Sequence, residues 1–283
     1  MRTRFNCVAL MLAIGAVSVT AVGCSPDSTS PISASSARAV GEPSSSAAEQ
    51  TAWMGKYHND ALDFALKKIK ASKRTAKLDR CRVGIAALKD FQKEYGKRTG
   101  SPFFSDLTLS DGACERAAAQ ISGSVSQSVM LNNPLLRYDI SYAAENYMNQ
   151  IVSQVDYATS ALTLSFAVNR IVRQASSTVD AVEATAVAGS GSITTSSASY
   201  WESNESSWAE PNQVQYDRMS SGIERIDVAP ANLSGRTKAI IRADAVAGVS
   251  TLLSQWFMGE AALASAAIRA AAASLAAGIF YTT

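Results

Sequence analysis

The chain has 283 residues, 47% of them hydrophobic but only 7% aromatic, and a formal net charge of +2. That length and apolar content exclude a chain without a core, and once a leader and a linker are discounted they leave room for one large domain rather than two. An apolar content made mostly of Ala, Val, Leu and Ile favours close-packed helices over aromatic-rich strands.

Met1 to Cys24 reads as an export signal. Arg2 and Arg4 give a positive start, and Val8 to Val17 is an apolar run too short to span a bilayer. The closing residues Ala21-Val22-Gly23-Cys24 resemble the lipobox of bacterial lipoproteins. The resemblance implies cleavage before Cys24 and a lipid on that cysteine, hence a membrane contact through the anchor. It also implies an outer-membrane address in a cell that has one, because Ser25 and not Asp follows the cysteine. An ordinary secretory signal that contains a cysteine is the plainer alternative. Residues 1–23 are therefore expected as signal, 24–46 as a lipidated cysteine followed by a Ser, Pro and Ala linker, and 47–283 as a helical domain. The linker has almost no large apolar residue to offset the entropy of ordering, so it is expected to hold the domain off the lipid surface.

From Ala47 to about Ala71 the apolar residues recur at helical spacing. Trp53, Met54, Tyr57, His58, Ala61, Leu62, Ala65, Leu66 and Ile69 share one wide arc, which requires more than one packing neighbour. A second helix is expected from about Thr75 to Tyr95, with Gly96 as its stop. These two helices form a basic lobe, since Lys56 to Arg98 holds thirteen Lys or Arg against five Asp or Glu. Such a surface suits anionic lipid headgroups, lipopolysaccharide, acidic wall polymer or a protein partner. The interspersed acids make a solvated helix face the plainer reading, and nucleic acid is not expected as a partner of an exported chain.

Gly100 to Gly112 reads as a loop with an apolar plug at Phe103-Phe104. A short helix is expected over Ala113 to Val125, and Asn132-Asn133-Pro134 reads as a turn. From Asp139 the helical pattern runs to about Ala188 with at most a break near Ser160. Its stripes are Tyr142, Tyr147, Ile151 and Val155, then Leu164, Ala167, Ile171 and Ala175, as expected of antiparallel bundle partners. Gly189-Ser-Gly-Ser192 is expected to punctuate the chain before a short helix from Ile193 to Trp201. Glu202 to Ser234, polar and broken by prolines, is the most loop-like stretch and the first place to seek a partner site.

Lys238 to Phe280 reads as two small-residue helices around Gly259. Arg242 and Asp244 interrupt the first helix, while Glu260 and Arg269 interrupt the second, so no uninterrupted apolar run reaches membrane-spanning length. A buried hairpin is favoured over a membrane insert. With Cys7 in the leader and Cys24 as the lipid site, Cys81 and Cys114 remain. In an exported chain they are a disulfide candidate, with two buried free thiols as the alternative. His58 is the only histidine. No second histidine or cysteine pair completes a metal site or dyad around it, and a buried histidine bonded to backbone or to a polar side chain is favoured over a general base. No motif calls for a cofactor.

Gly55-x-x-His58-Asn59-x-x-Leu62, Ala243-Asp244-Ala-Val-Ala-Gly248 and Ser197-Ala-Ser-Tyr-Trp201 together resemble a loose group of uncharacterised helical proteins, secreted or lipid-anchored in bacteria. The resemblance implies no activity. The expectation is an all-α, bundle-like domain of about seven or eight helices ending in a small-residue hairpin, with His58, Asn59, Arg242 and Asp244 as structural polar residues. A lipid-anchored binding or structural module of the cell envelope is the leading functional reading. An envelope enzyme without a recognisable motif, or a membrane-active protein that inserts its hairpin, are the alternatives.

Overall fold

Helix-start signals are written plainly in this chain, and most of them are used. A computed structural model describes residues 46–101, 104, 109, 112, 114–115, 140–208, 233–255 and 259–281, all within the unit Ser44–Thr283. The signal, Cys24, the linker, most of the expected helix at Ala113 to Val125 and the Asn132-Asn133-Pro134 turn lie outside the described residues. Seven helices and no strand occur among the described residues, 88% of which are helical. They are α1 (Ala47–Ser72), α2 (Lys77–Thr99), α3 (Tyr142–Tyr157), α4 (Ala161–Ser176), α5 (Ala181–Trp208), α6 (Gly235–Gln255) and α7 (Glu260–Tyr281).

Ser46 caps α1 in a reciprocal box, its Oγ accepting from the Glu49 amide at 3.3 Å while Glu49 Oε2 accepts from the Ser46 amide at 2.7 Å. Ser160 and Thr163 close a similar box on α4. Asp180 Oδ1 accepts from the amides of Val182 and Glu183 to start α5, and Ser234 Oγ accepts from that of Thr237 to start α6. Each such cap is worth about 1 kcal/mol against alanine.

The helices form three layers. α1, α2 and α7 enclose one apolar cluster with Met54, Tyr57, Leu62, Leu88 and Leu275. α3 and α4 enclose the other with Met148, Ile151, Leu164 and Ile171. α5 and α6 lie between and contribute to both. A helix packed on every side must be apolar or small all round, and this accounts for the Ala, Ser and Gly of α5 and α7.

Four expectations are corrected. Gly96 is buried inside α2, which continues to Thr99 and ends at Gly100, where φ is +66°. A left-handed cap, not glycine as such, stops a helix. Gly189-Ser-Gly-Ser192 does not punctuate, because α5 runs unbroken from Ala181 and the break falls instead at Ser177 to Asp180. The two glycines are contact points: a Cβ on Gly189 would lie 2.9 Å from Met54 Sδ, and one on Gly191 would lie 2.9 Å from Val172 Cγ2. Glu202 to Trp208 are the last turns of α5 and not loop, held there by the fully buried Trp208. Residues 209–232 lie outside the described residues. Finally, Tyr142 is 78% exposed, and the buried stripe of α3 is Ala144, Met148, Ile151, Val152 and Val155.

The terminal hairpin turns at Gly259, with φ +59°. α7 is long and apolar enough by length and composition to cross a membrane, although Arg269 interrupts its apolar run, and 83% of its apolar window is buried in protein.

Candidate functional site

The wide apolar arc of α1 carries His58 inward and leaves its imidazole fully buried. Its Nδ1 lies 2.8 Å from Asn59 Oδ1, and Asn59 Nδ2 donates to the Ser196 carbonyl on α5 at 3.2 Å. Nε2 faces Asp244 Oδ2 on α6 across 3.2 Å, at ion-pair distance but off the line of a hydrogen bond. The same oxygen accepts from Ser274 Oγ on α7 at 2.7 Å and from Ser197 Oγ on α5. Trp201 Nε1 in turn donates to Ser274 Oγ at 2.6 Å. One carboxylate oxygen thus fastens α1, α5, α6 and α7.

Small residues bring the four helices this close. A Cβ on Gly55 would fall 1.9 Å from Ser196 Oγ, and one on Gly278 would fall 2.2 Å from Trp201 Cη2. The Gly55 amide donates to Ser192 Oγ at 3.2 Å.

Burial pushes the Asp244 carboxyl above the usual carboxylate range, and His58 with the Ser197 and Ser274 hydroxyls opposes that shift. Asp244 Oδ1 has no hydrogen-bond partner, so the second oxygen is the natural place for a proton.

His, Asp and Ser in contact invite comparison with a hydrolytic triad, and the order of contacts answers it. In a triad the imidazole stands between the acid and the hydroxyl and removes the proton from the nucleophile. Here the carboxylate stands in the middle and both hydroxyls donate to it. His58, Ser197, Asp244 and Trp201 are all fully buried, as is Ser274, so a substrate has no approach to the node. Its chemistry is that of a clamp.

A second relay ties the end of α5 to the basic lobe. Trp208 Nε1 donates to Tyr200 Oη at 3.2 Å, Tyr200 Oη donates to Asp63 Oδ1 at 3.1 Å, and Arg80 Nη2 donates to the Trp208 carbonyl at 3.0 Å. Burial raises the Tyr200 hydroxyl pKa, so the phenol stays protonated as donor.

The residues singled out from sequence fall into three groups. His58, Asn59 and Asp244 meet in the node, and with Gly55, Ser197 and Trp201 they bring together the stretches 55–62, 197–201 and 243–248. Arg242 does not join them: it lies on the outer side of α6 and pairs with Asp156 of α3. Cys81 and Cys114 are bonded, with Cα atoms 5.8 Å apart, and Cys24 lies outside the described residues. Sequence reasoning missed Ser192, Ser196 and Ser274, because a serine among alanines and glycines on a helix carries no periodic signal. Among the described residues no group of three His, Cys, Asp or Glu side chains is placed to hold a metal ion.

The fold defines an all-α domain of seven described helices clamped by one buried carboxylate. No family model matches the chain, and no curated protein or solved structure matches it either.

Proposed function

We propose that this chain is a lipid-anchored module of the bacterial cell envelope, exported by residues 1–23, modified on Cys24 and tethered by the Ser, Pro and Ala linker. The helical domain then acts by binding or bracing another envelope component. The Cys81–Cys114 bond carries the reading, because disulfides form and persist in oxidising compartments outside the bacterial cytoplasm. The sealed His58–Asp244 node supports a binding or structural role over an enzymatic one, since the constellation most like a catalytic site is closed to solvent. Metabolic labelling with palmitate tests the anchor. The wild-type chain takes the label and the Cys24→Ser chain does not; equal labelling of both overturns the reading.

A further inference from the structure

The turn between α1 and α2 concentrates cations at one end of the basic lobe. Lys67, Lys68, Lys70, Lys73 and Arg74 are exposed, Lys77 is half-buried, and no acid occurs from Phe64 to Leu78. None of the five exposed cations makes an ion pair among the described residues. The nearby acids are engaged elsewhere: Asp60 with Lys56 at 2.6 Å, Asp63 with the Tyr200 hydroxyl and Asp79 with Arg82 at 3.9 Å. The interspersed acids that favoured a plain solvated face are therefore not at the tip.

Local stability does not account for all of these residues. A cation near the C-terminus of α1 is favourable, but Arg74 stands just before the positive pole of α2, where acids are preferred and Asp79 supplies one. The N-cap of α2 is Ala76, which makes no side-chain cap bond. Lys73 holds φ +54°, a conformation that glycine adopts at less cost. Local rules broken together, as at Lys73, Arg74 and Ala76, mark a functional surface. Five of the six cations are lysines, which act as mobile point charges and not as the rigid forks that recognise one anion. Among the described residues the large exposed apolar side chains, Tyr142, Tyr157, Leu162, Phe166 and Val182, all lie on α3 to α5, and the half-buried Phe64 lies under Lys68 Nζ at 5.2 Å, so the tip offers charge without an exposed apolar side chain.

Apolar content decides between a membrane and a polymer. Among the described residues no large apolar side chain is exposed at the tip to enter a bilayer, so its charge suits a polyanion in solution. We propose that the α1–α2 turn is a docking tip for a linear polyanion of the cell envelope, with repeating phosphate or carboxylate groups. This rests on the envelope reading above.

The test uses residues 24–283 with Cys24→Ser, disulfide intact, so that no lipid contributes and the palmitate experiment stays independent. The probes are long-chain polyphosphate and phosphatidylglycerol vesicles, followed by anisotropy and by co-sedimentation. The chain is expected to bind polyphosphate more tightly than vesicles and to release it at about 0.5 M salt. Combined Lys67→Gln, Lys70→Gln, Lys73→Gln and Arg74→Gln should weaken binding at least about tenfold. The same loss of charge through Lys93→Gln, Lys97→Gln, Arg170→Gln and Arg173→Gln should change it by less than about twofold. Lys73→Gly alone should raise the melting temperature while weakening binding, which a merely structural lysine would not do. Equal loss in both combined variants, or no binding by the parent chain, overturns the docking tip; tighter binding to vesicles overturns the polymer in favour of a membrane.

Discussion

His58 and Asp244 face each other across 3.2 Å with both side chains wholly buried, one on the first helix and one on the sixth. Removing the carboxylate leaves Ser197 and Ser274 without their shared acceptor and His58 Nε2 without the oxygen it faces. A buried donor left unsatisfied costs about 1–3 kcal/mol. Asp244→Ala is therefore expected to lower the urea midpoint sharply, while Asp244→Asn, which keeps an acceptor oxygen, loses less. Equal losses in the two variants would show that the acceptor is not what matters.

The same carboxyl makes stability depend on pH in a stated direction. Its pKa is raised by burial, so folding takes up a proton between the ordinary carboxylate value and the folded one. Its contribution is complete below the unfolded pKa and is lost as pH rises through the folded value. The unfolding free energy of wild type minus that of Asp244→Asn, which cannot titrate, should fall as pH increases across that window. A difference that stays constant or rises contradicts the assignment.

Gly278 and Trp201 test the packing of the hairpin. With only 2.2 Å between an added Cβ and the indole Cη2, Gly278→Ala must displace a fully buried ring. The expected cost is about 2–3 kcal/mol, with a shift in tryptophan fluorescence as the indole leaves Ser274. An unshifted spectrum at wild-type stability would mean the two helices separate freely.

The Cys81–Cys114 bond closes a sequence separation of 33 residues. Chain entropy gives such a crosslink about 3–4 kcal/mol. Cys81→Ser with Cys114→Ser should lose that amount in urea unfolding, and reductant should then have no further effect. Quantitative alkylation of both thiols in the native, unreduced wild type would dispose of the crosslink.

The hairpin can be challenged directly. α7 packs 83% of its apolar window against protein and supplies Ser274 to the node, so residues 44–283 without leader or lipid are expected to stay dispersed in water and to unfold cooperatively. A need for detergent that disappears on deleting residues 238–283 would make the hairpin a membrane element.

Much of this architecture was legible because it is local. The spacing of Met54, Leu62 and Ile69 and Gly259 between two apolar runs are short-range patterns whose physics acts within a turn or two of helix. His58 could be placed on a buried arc for the same reason. Gly96 and Gly189-Ser-Gly-Ser192 were misleading because glycine has two uses, a left-handed stop and a close contact, and composition does not separate them. Arg242 and Asp244 looked alike as charges in an apolar helix, yet two positions on a helix are about 200° apart, which sends Arg242 to Asp156 at the surface and Asp244 to the core.

From the sequence alone came the helical class, the start of α1, the Cys81–Cys114 pair as a candidate and the inward face of α1. Only the tertiary structure decided that Asp244 collects His58, Ser197 and Ser274, and that the exposed cations from Lys67 to Arg74 gather at one tip while the nearby acids turn elsewhere. The reason is physical: helix formation is settled by neighbours along the chain, whereas a buried hydrogen bond or a surface field is settled by neighbours in space, whose sequence separation leaves no mark on local periodicity.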